Sequence, residues 1–202
     1  MSGLLLKDIY NLRRYLKSII IILVFYLVYS ISIKNINFFL GMTFVLMSMI
    51  PLSAIGYDER AKWDKYALTM PVSRTDMVTS KYLLALGIGG LCMIANVMLS
   101  IIIQKSSLME AILASGAMLF LSLLYDCILL PVVFKLGVEK GRYVMFAVLL
   151  IPAIGVMYLK KLPKPDQSVI ETGMKAAPFI IVVLFILSMM LSVHIYKSKE
   201  LD

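Results

Sequence analysis

The sequence predicts an all-α, polytopic membrane protein with six transmembrane helices, an N-terminal amphipathic surface helix and a short helix in a cytosolic connection. Three observations predict it. Of 202 residues, 61% are hydrophobic and only 16% charged, and a mean hydropathy of +0.92 is more apolar surface than one water-soluble core can hide. The apolar stretches are long and continuous and do not alternate with period two, which favours helices over a barrel. Lys and Arg also gather on one side: fourteen flank one set of span ends and six the other.

The first seventeen residues carry Leu5, Ile9, Leu12 and Leu16 at i, i+4, i+7 and i+11, with Lys7, Asn11 and Arg14 on the other face. That spacing predicts a helix over 1–17 lying in the membrane surface, turning into the first span at Arg13, Arg14 and Lys17. The alternative is a plain extension of the first span. Charges reaching Lys17 and the lack of a small-residue cleavage site argue against a cleavable signal peptide.

A helix needs roughly 20 apolar residues to cross the hydrocarbon core. Six segments approach that: 18–33, 36–55, 82–103, 108–134, 143–159 and 177–196. Lys34 and Asn35 leave room only for a tight hairpin between the first two, and Gln104, Lys105, Ser106 and Ser107 form the turn between the third and fourth. The first and fifth are short and can extend or tilt to match the bilayer. Residues 1–202 therefore read as a single transmembrane domain with a cytosolic segment over 56–81 and an extracellular loop over 160–176. Pro163, Pro165 and Gly173 divide that loop, and a short helix can follow Asp166. Pro152, Gly155 and Pro178 predict kinked or interrupted helices near the outer face.

An even number of spans puts both termini on one side, and the positive-inside rule makes the side with fourteen basic residues cytosolic. The expected location is a bacterial cell membrane, multi-pass, with both termini in the cytosol. The net charge of +8 then has a topological explanation, with attraction to anionic lipid headgroups, and is not read as nucleic-acid binding.

Segment 56–81 is the one dense run of charge. Trp63, Tyr66, Ala67 and Met70 fall at helical spacing, and Asp58 with Lys62 makes an acid-to-base pair at i, i+4 in the favoured order. These predict a helix over 57–70 that Pro71 ends. Ser73 and Asp76 then have the spacing of a capping box that starts the helix of the third span. A short helix docking on a partner should offer an aromatic anchor within a charged rim. Trp63 and Tyr66 fit the anchor, and Asp58, Glu59, Arg60, Lys62, Asp64 and Lys65 the rim. A solvated loop obeying only the positive-inside rule would be basic without the acids and without the chain's single tryptophan.

No phosphate-binding loop of the Gly-x-x-x-x-Gly-Lys-Ser/Thr type is present. One histidine, His194, offers no zinc pair, and no Ser-His-Asp or Cys-His constellation can be assembled. The chain therefore offers no catalytic residues, no metal ligands and no nucleotide site, and is not expected to be an enzyme. Cys92 and Cys127 lie within spans and read as packing residues. Asp126 is the ionisable residue within a span. At membrane depth a carboxylate costs several kcal/mol unless paired, hydrated or protonated, so it is a functional candidate; a wet position near the cytosolic end is the other reading. Asn96 and Ser100, one turn apart, can hydrogen-bond between helices or, with Asp126, line a translocation path.

The run Tyr57-Asp58-Glu59-Arg60, then Trp63-Asp64-Lys65-Tyr66-Ala67-Leu68-Thr69-Met70-Pro71-Val72-Ser73-Arg74, closed by Lys81-Tyr82-Leu83-Leu84, resembles the signature of bacterial ABC-2 type permease subunits. With the N-terminal helix and the six-span layout, the resemblance covers the chain. Its small size and its Leu-Leu-Leu-Lys-Asp start look like the short Firmicute subfamily that includes the membrane subunits of the phenol-soluble modulin exporter. The resemblance implies a type V exporter-like fold in which the 57–70 helix is a coupling helix docking on a cytosolic ABC ATPase through Asp58, Glu59, Arg60, Trp63, Asp64, Tyr66 and Pro71. It implies a second permease subunit, as homo- or heterodimer, and Mg-ATP held by the ATPase rather than by this chain. The function so implied is export; the resemblance does not identify the cargo, for which amphipathic peptides of toxin or antimicrobial type or lipophilic compounds are the expectation. A non-transporting immunity or structural membrane protein and a small-solute channel are the alternatives; a channel should show rings of polar residues that are not found.

Overall fold

The computed structural model describes residues 2–67, 69–159 and 167–198, with side chains for all of these except 2, 14, 149 and 151–178. The described residues form seven α-helices: α1 (Ser2–Ser32), α2 (Ile36–Arg60), α3 (Trp63–Ala67), α4 (Arg74–Leu99), α5 (Leu108–Leu136), α6 (Val138–Leu159) and α7 (Gln167–Ser198). A π-helical turn, Ser100–Gln104, prolongs α4. Among the described residues five helices are long and apolar enough to cross a membrane: Tyr15–Ser32, Ile36–Arg60, Arg74–Gln104, Leu108–Leu136 and Phe179–Ser198. The chain is a multi-pass membrane protein.

Several boundaries differ from the sequence expectation. The surface segment 1–17 and the first span form one unbroken helix, α1, without a separate elbow at Arg13 to Lys17. Its inward face also differs: Leu4, Asp8, Leu12 and Ile19 are buried, whereas Ile9 is exposed. The reason is Asp8, whose carboxylate pairs with Lys81 and turns the helix so that a charge, not a full apolar stripe, faces the bundle. Helix α2 runs five residues past the expected end at 55, and α6 begins five residues before 143. Both extra turns are held by hydrogen bonds in the site described below. Helices α6 and α7 run without interruption through Pro152 and Pro178. The divided loop expected over 160–176 lies outside the described residues up to 166, and from Gln167 the chain is already in α7.

Local chemistry sets the turns. At the first hairpin Lys34 takes a left-handed φ of 53°. Asn35 Oδ1 then accepts from the Asn37 N–H at 3.1 Å, and Ser30 Oγ donates to the Asn35 carbonyl at 2.6 Å. Lys105, also left-handed, ends the π turn. Ser107 and Glu110 cap α5 reciprocally, and Ser73 and Asp76 cap α4 in the same way, satisfying orphan N–H groups at both helix starts.

Helix α5 is the axis of the bundle and packs on α2, α4, α6 and α7. Gly89 lies so close to it that a Cβ there would be 2.8 Å from Leu119 Cδ1. Gly116 faces Met93, which fixes the antiparallel register of α4 on α5. Most of the apolar core, including Tyr82, Leu129, Leu130 and Val133, sits toward the end of the bundle that carries the elbow between α2 and α4. Pro131 lies inside α5 and has no N–H for the carbonyl of Cys127 four residues earlier. Ser188 of α7 fills that gap, donating to the Cys127 carbonyl at 2.6 Å. The Tyr82 hydroxyl then bonds Ser188 Oγ at 2.7 Å and Ser192 Oγ at 2.8 Å, so one polar chain joins α4, α5 and α7.

Ser188→Ala leaves both the freed carbonyl and the Tyr82 hydroxyl short of a partner. It should lower stability by about 1–3 kcal/mol, read as a reduced thermal midpoint in detergent, while Ser198→Ala on the exposed end of the same helix should leave the midpoint unchanged.

Candidate functional site

The elbow between α2 and α4 is not the single 57–70 helix expected. Tyr57 to Arg60 form the last turn of α2, and α3 is only the five residues Trp63–Ala67. Between them Lys62 adopts a left-handed φ of 50°. This takes Lys62 out of helical register with Asp58, so the expected i, i+4 pair is not made. Asp58 turns inward instead.

There it joins a cluster of two lysines and two aspartates drawn from three helices. Lys81 Nζ, buried in the second turn of α4, lies 2.7 and 2.8 Å from the two carboxylate oxygens of Asp8 on α1 and 2.5 Å from Asp58 Oδ2 on α2. Lys7 Nζ approaches Asp58 Oδ1 at 2.6 Å and Asp8 Oδ1 at 3.1 Å. Formal charges cancel within the four. Burial of each ion costs several kcal/mol, and close pairing with saturated oxygens is what offsets it. The Lys7 ammonium also stands 4.5 Å over the centre of the Trp63 ring, a cation–π contact that ties α3 to the cluster.

Glu59, the next residue, faces the other way. Its two carboxylate oxygens accept from the Val138 N–H at 3.0 and 3.3 Å, placing a negative charge on the N-terminus of α6, where the helix dipole favours it. Gly137 makes this possible. Its φ of +83° reverses the chain between α5 and α6, and a Cβ there would meet Glu59 Oε1 at 3.4 Å. On the other side of the elbow, the Arg74 guanidinium donates to the carbonyls of Lys197 at 2.8 Å and Tyr196 at 3.3 Å, closing the C-terminal end of α7.

The residues expected as docking rim and anchor thus divide. Asp58 is buried in the ion cluster and Glu59 is half-buried against α6. Trp63 is half-buried under Lys7 and packs on the apolar core. Asp64 is half-buried beside a cavity of about 30 Å³ that it shares with Lys81 and Tyr196. Tyr66 is 63% exposed, with Met70 and Pro71 exposed beyond it and Lys62 and Lys65 on either side. Arg60 is exposed but lines a separate cavity between α1, α2 and α6.

Asn96, Ser100 and Asp126 are all buried, and Asn96 Oδ1, Ser100 Oγ and Asp126 Oδ1 have no hydrogen-bond partner among the described residues. They do not converge. The register set by Gly89 with Leu119 and Gly116 with Met93 puts Asp126 level with Tyr82, roughly 20 Å along the bundle from Asn96 at 1.5 Å per residue. Asp126 lies toward the elbow end, yet it is 3% exposed, so the wet position considered from sequence does not apply.

A family model described as ABC-2 family transporter protein matches residues 3–197. The chain belongs to the ABC-2 transporter family. No curated protein and no solved structure matches it. As an ABC-2 membrane component the chain is a permease component of an ABC transporter and not the ATPase, and permeases of this family work with an ATPase subunit.

Sequence reasoning missed two parts of this ABC-2 permease's elbow. In the sequence Asp8 has no role beyond the Leu-Leu-Leu-Lys-Asp start, and Lys81 none beyond closing the elbow run before a span. The signal that could have found them is charge balance: Asp8 is the one acid in the first 57 residues, and Lys81 abuts a run of apolar residues. Such residues near a span need partners. Glu59 as a helix cap for α6 had no sequence signal beyond Gly137.

Lys81→Met leaves two buried carboxylates sharing Lys7 alone and should cost about 3–5 kcal/mol. Lys7→Met, which leaves both aspartates on Lys81 but removes one of their partners and the contact with Trp63, should cost less, about 1–3 kcal/mol. The two variants are compared by thermal unfolding in detergent; equal losses would show that Lys81 is not the centre of the cluster.

Proposed function

We propose that this permease is the membrane subunit of an exporter, with six spans, both termini cytosolic in a bacterial cell membrane, and α3 as the coupling helix of an elbow that docks on a cytosolic ABC ATPase. Mg-ATP belongs to that ATPase. Two permease subunits, identical or paralogous, pair with two ATPases, and cargo of the amphipathic peptide or lipophilic type leaves through a path between the permeases.

One observation carries the docking reading: Trp63 is half-buried under Lys7 in α3 while Tyr66, one turn on, and Met70 beyond the helix stand exposed, flanked by Lys62 and Lys65. A short helix of this kind has an inner anchor and an outer contact surface. The outer aromatic is therefore Tyr66, with Met70 beside it, and the rim is basic, so the groove that receives it should be acidic. The inner anchor leads through Lys7 to Asp58, Asp8 and Lys81, and so to α1, α2 and α4. A push on α3 reaches three helices through a neutral, buried cluster that resists stretching because every separation within it exposes an unpaired charge. ATP binding that draws two ATPases together would tilt these helices as a unit, and hydrolysis would reset them.

The test is pull-down of the tagged full-length permease from its native host, with the co-purifying ABC ATPase identified and quantified. Tyr66→Ala should reduce ATPase recovery by about tenfold or more, as expected for loss of an aromatic hot spot, with the permease's own thermal midpoint unchanged. Trp63→Ala should instead lower that midpoint. Undiminished recovery with Tyr66→Ala and with a Lys62→Glu, Lys65→Glu charge reversal would remove α3 as the docking element.

A further inference from the structure

A cavity of about 290 Å³ opens between α1, α2 and α6, at the elbow end of the bundle. Its chemistry changes along its length. Arg60 and Tyr57 line it at the end of α2, and Met49 and Leu52 line it two to three turns deeper. Eleven residues separate Met49 from Arg60, about 16 Å at 1.5 Å per residue, or about half of a hydrocarbon core of roughly 30 Å. From α6 the cavity receives Arg142 and, one turn further in, Phe146.

Neither arginine forms an ion pair among the described residues; Glu59, next to Arg60 in sequence, points to the Val138 N–H instead. Tyr57 adds a hydroxyl with no hydrogen-bond partner among the described residues. Guanidinium groups bind phosphate through paired N–H donors more effectively than lysine does. An apolar wall one leaflet deep below two unpaired guanidiniums is complementary to a molecule with an anionic head and a hydrocarbon tail. The volume is at the lower end for small-molecule sites. It suits a headgroup and the first part of a chain whose remainder lies in the bilayer.

We propose that this cavity is a binding site for an anionic glycerophospholipid, its phosphate held by Arg60 and Arg142 and its acyl chain lying along Leu52, Met49 and Phe146. The site is distinct from the docking face of α3, because none of its lining residues belongs to α3. It would place a lipid against Gly56, the point where α2 meets α6 so closely that a Cβ on Gly56 would lie 3.3 Å from Val138 Cγ1. Only the assignment to the cytosolic leaflet rests on the proposed orientation; the lipid's charge and shape do not.

The experiment measures binding of a phosphatidylglycerol with a fluorescent acyl chain to the purified full-length permease in non-ionic detergent, against phosphatidylcholine with the same chains. The anionic probe should bind about tenfold more tightly. Arg60→Gln with Arg142→Gln should abolish that preference. Arg13→Gln with Lys17→Gln, which removes two basic residues of α1 outside the cavity, should leave it within about twofold. Equal loss in both double variants would mean diffuse charge attraction and overturn the site. Competition by inorganic phosphate alone would make it a free-anion site and overturn the lipid assignment, as would equal binding of the two lipids. A photoreactive phosphatidylglycerol gives a reading that needs no variant: cross-links should map to peptides containing Met49 to Tyr57 or Met145 to Phe146, and labelling confined to other helices would refute the proposal. No ATPase is present in these measurements, so failure of the docking reading leaves their outcome unaffected.

Discussion

Lys81 holds its ammonium between Asp8 and Asp58 in a place where water hardly reaches, with only 4% of the residue exposed. An unpaired charge there would cost several kcal/mol, so α1, α2 and α4 must all arrive with the right face inward for the lysine to be tolerated. A one-residue slip of α1 would rotate Asp8 by about 100° and leave Lys81 half-paired. The cluster thus sets rotation and register for the first half of the molecule in a way that apolar packing between greasy helices does not, since lipid tails satisfy an apolar side chain as well as a neighbouring helix does. The outward turn of Ile9, which the apolar spacing alone would bury, follows from it.

The second half is fixed by a different kind of polar contact. Pro131 frees the Cys127 carbonyl inside the bundle, and Ser188, Ser192 and Tyr82 gather around the gap. In lipid every backbone group must find a partner within the protein, so a proline in α5 specifies where α7 has to lie. Glu59 on the N-terminus of α6 and Arg74 on the C-terminal carbonyls of α7 complete the pattern. At the elbow α1, α6 and α7 are each tied by a charged side chain of α2 or α4. Among the described residues the elbow end is consequently the polar, interlocked part of the molecule.

This arrangement gives the elbow two faces with different chemistry. Trp63 and the cluster form the inner one, which joins α3 to α1, α2 and α4. Tyr66, Met70, Lys62 and Lys65 form the outer one. The proposed docking asks for both, a contact surface and a stiff connection behind it, and Tyr66 and Trp63 on the same short helix are the residues it would use.

The helical, multi-pass architecture, the tight hairpin at Lys34 and Asn35 and the cap at Ser73 were all legible in the sequence. They depend on local quantities: run length, hydropathy, cap spacing and turn residues act over a few neighbours. The roles of Asp58, Glu59, Trp63 and Arg60 were not. From sequence they formed one charged, exposed rim around an aromatic; in the tertiary structure Asp58 pairs with Lys7 and Lys81, Glu59 caps α6, Trp63 sits under Lys7, and Arg60 faces a cavity beside α1 and α6. The spacing of Asp58 and Lys62 promised a pair that one left-handed residue cancelled. Sequence determined which segments are helices and that the elbow is charged. Only the packed bundle decided which charges face inward, because the partners of Asp8, Asp58 and Lys81 are separated by 23 to 73 residues, and ion pairing at that separation is set by how helices meet rather than by any local pattern.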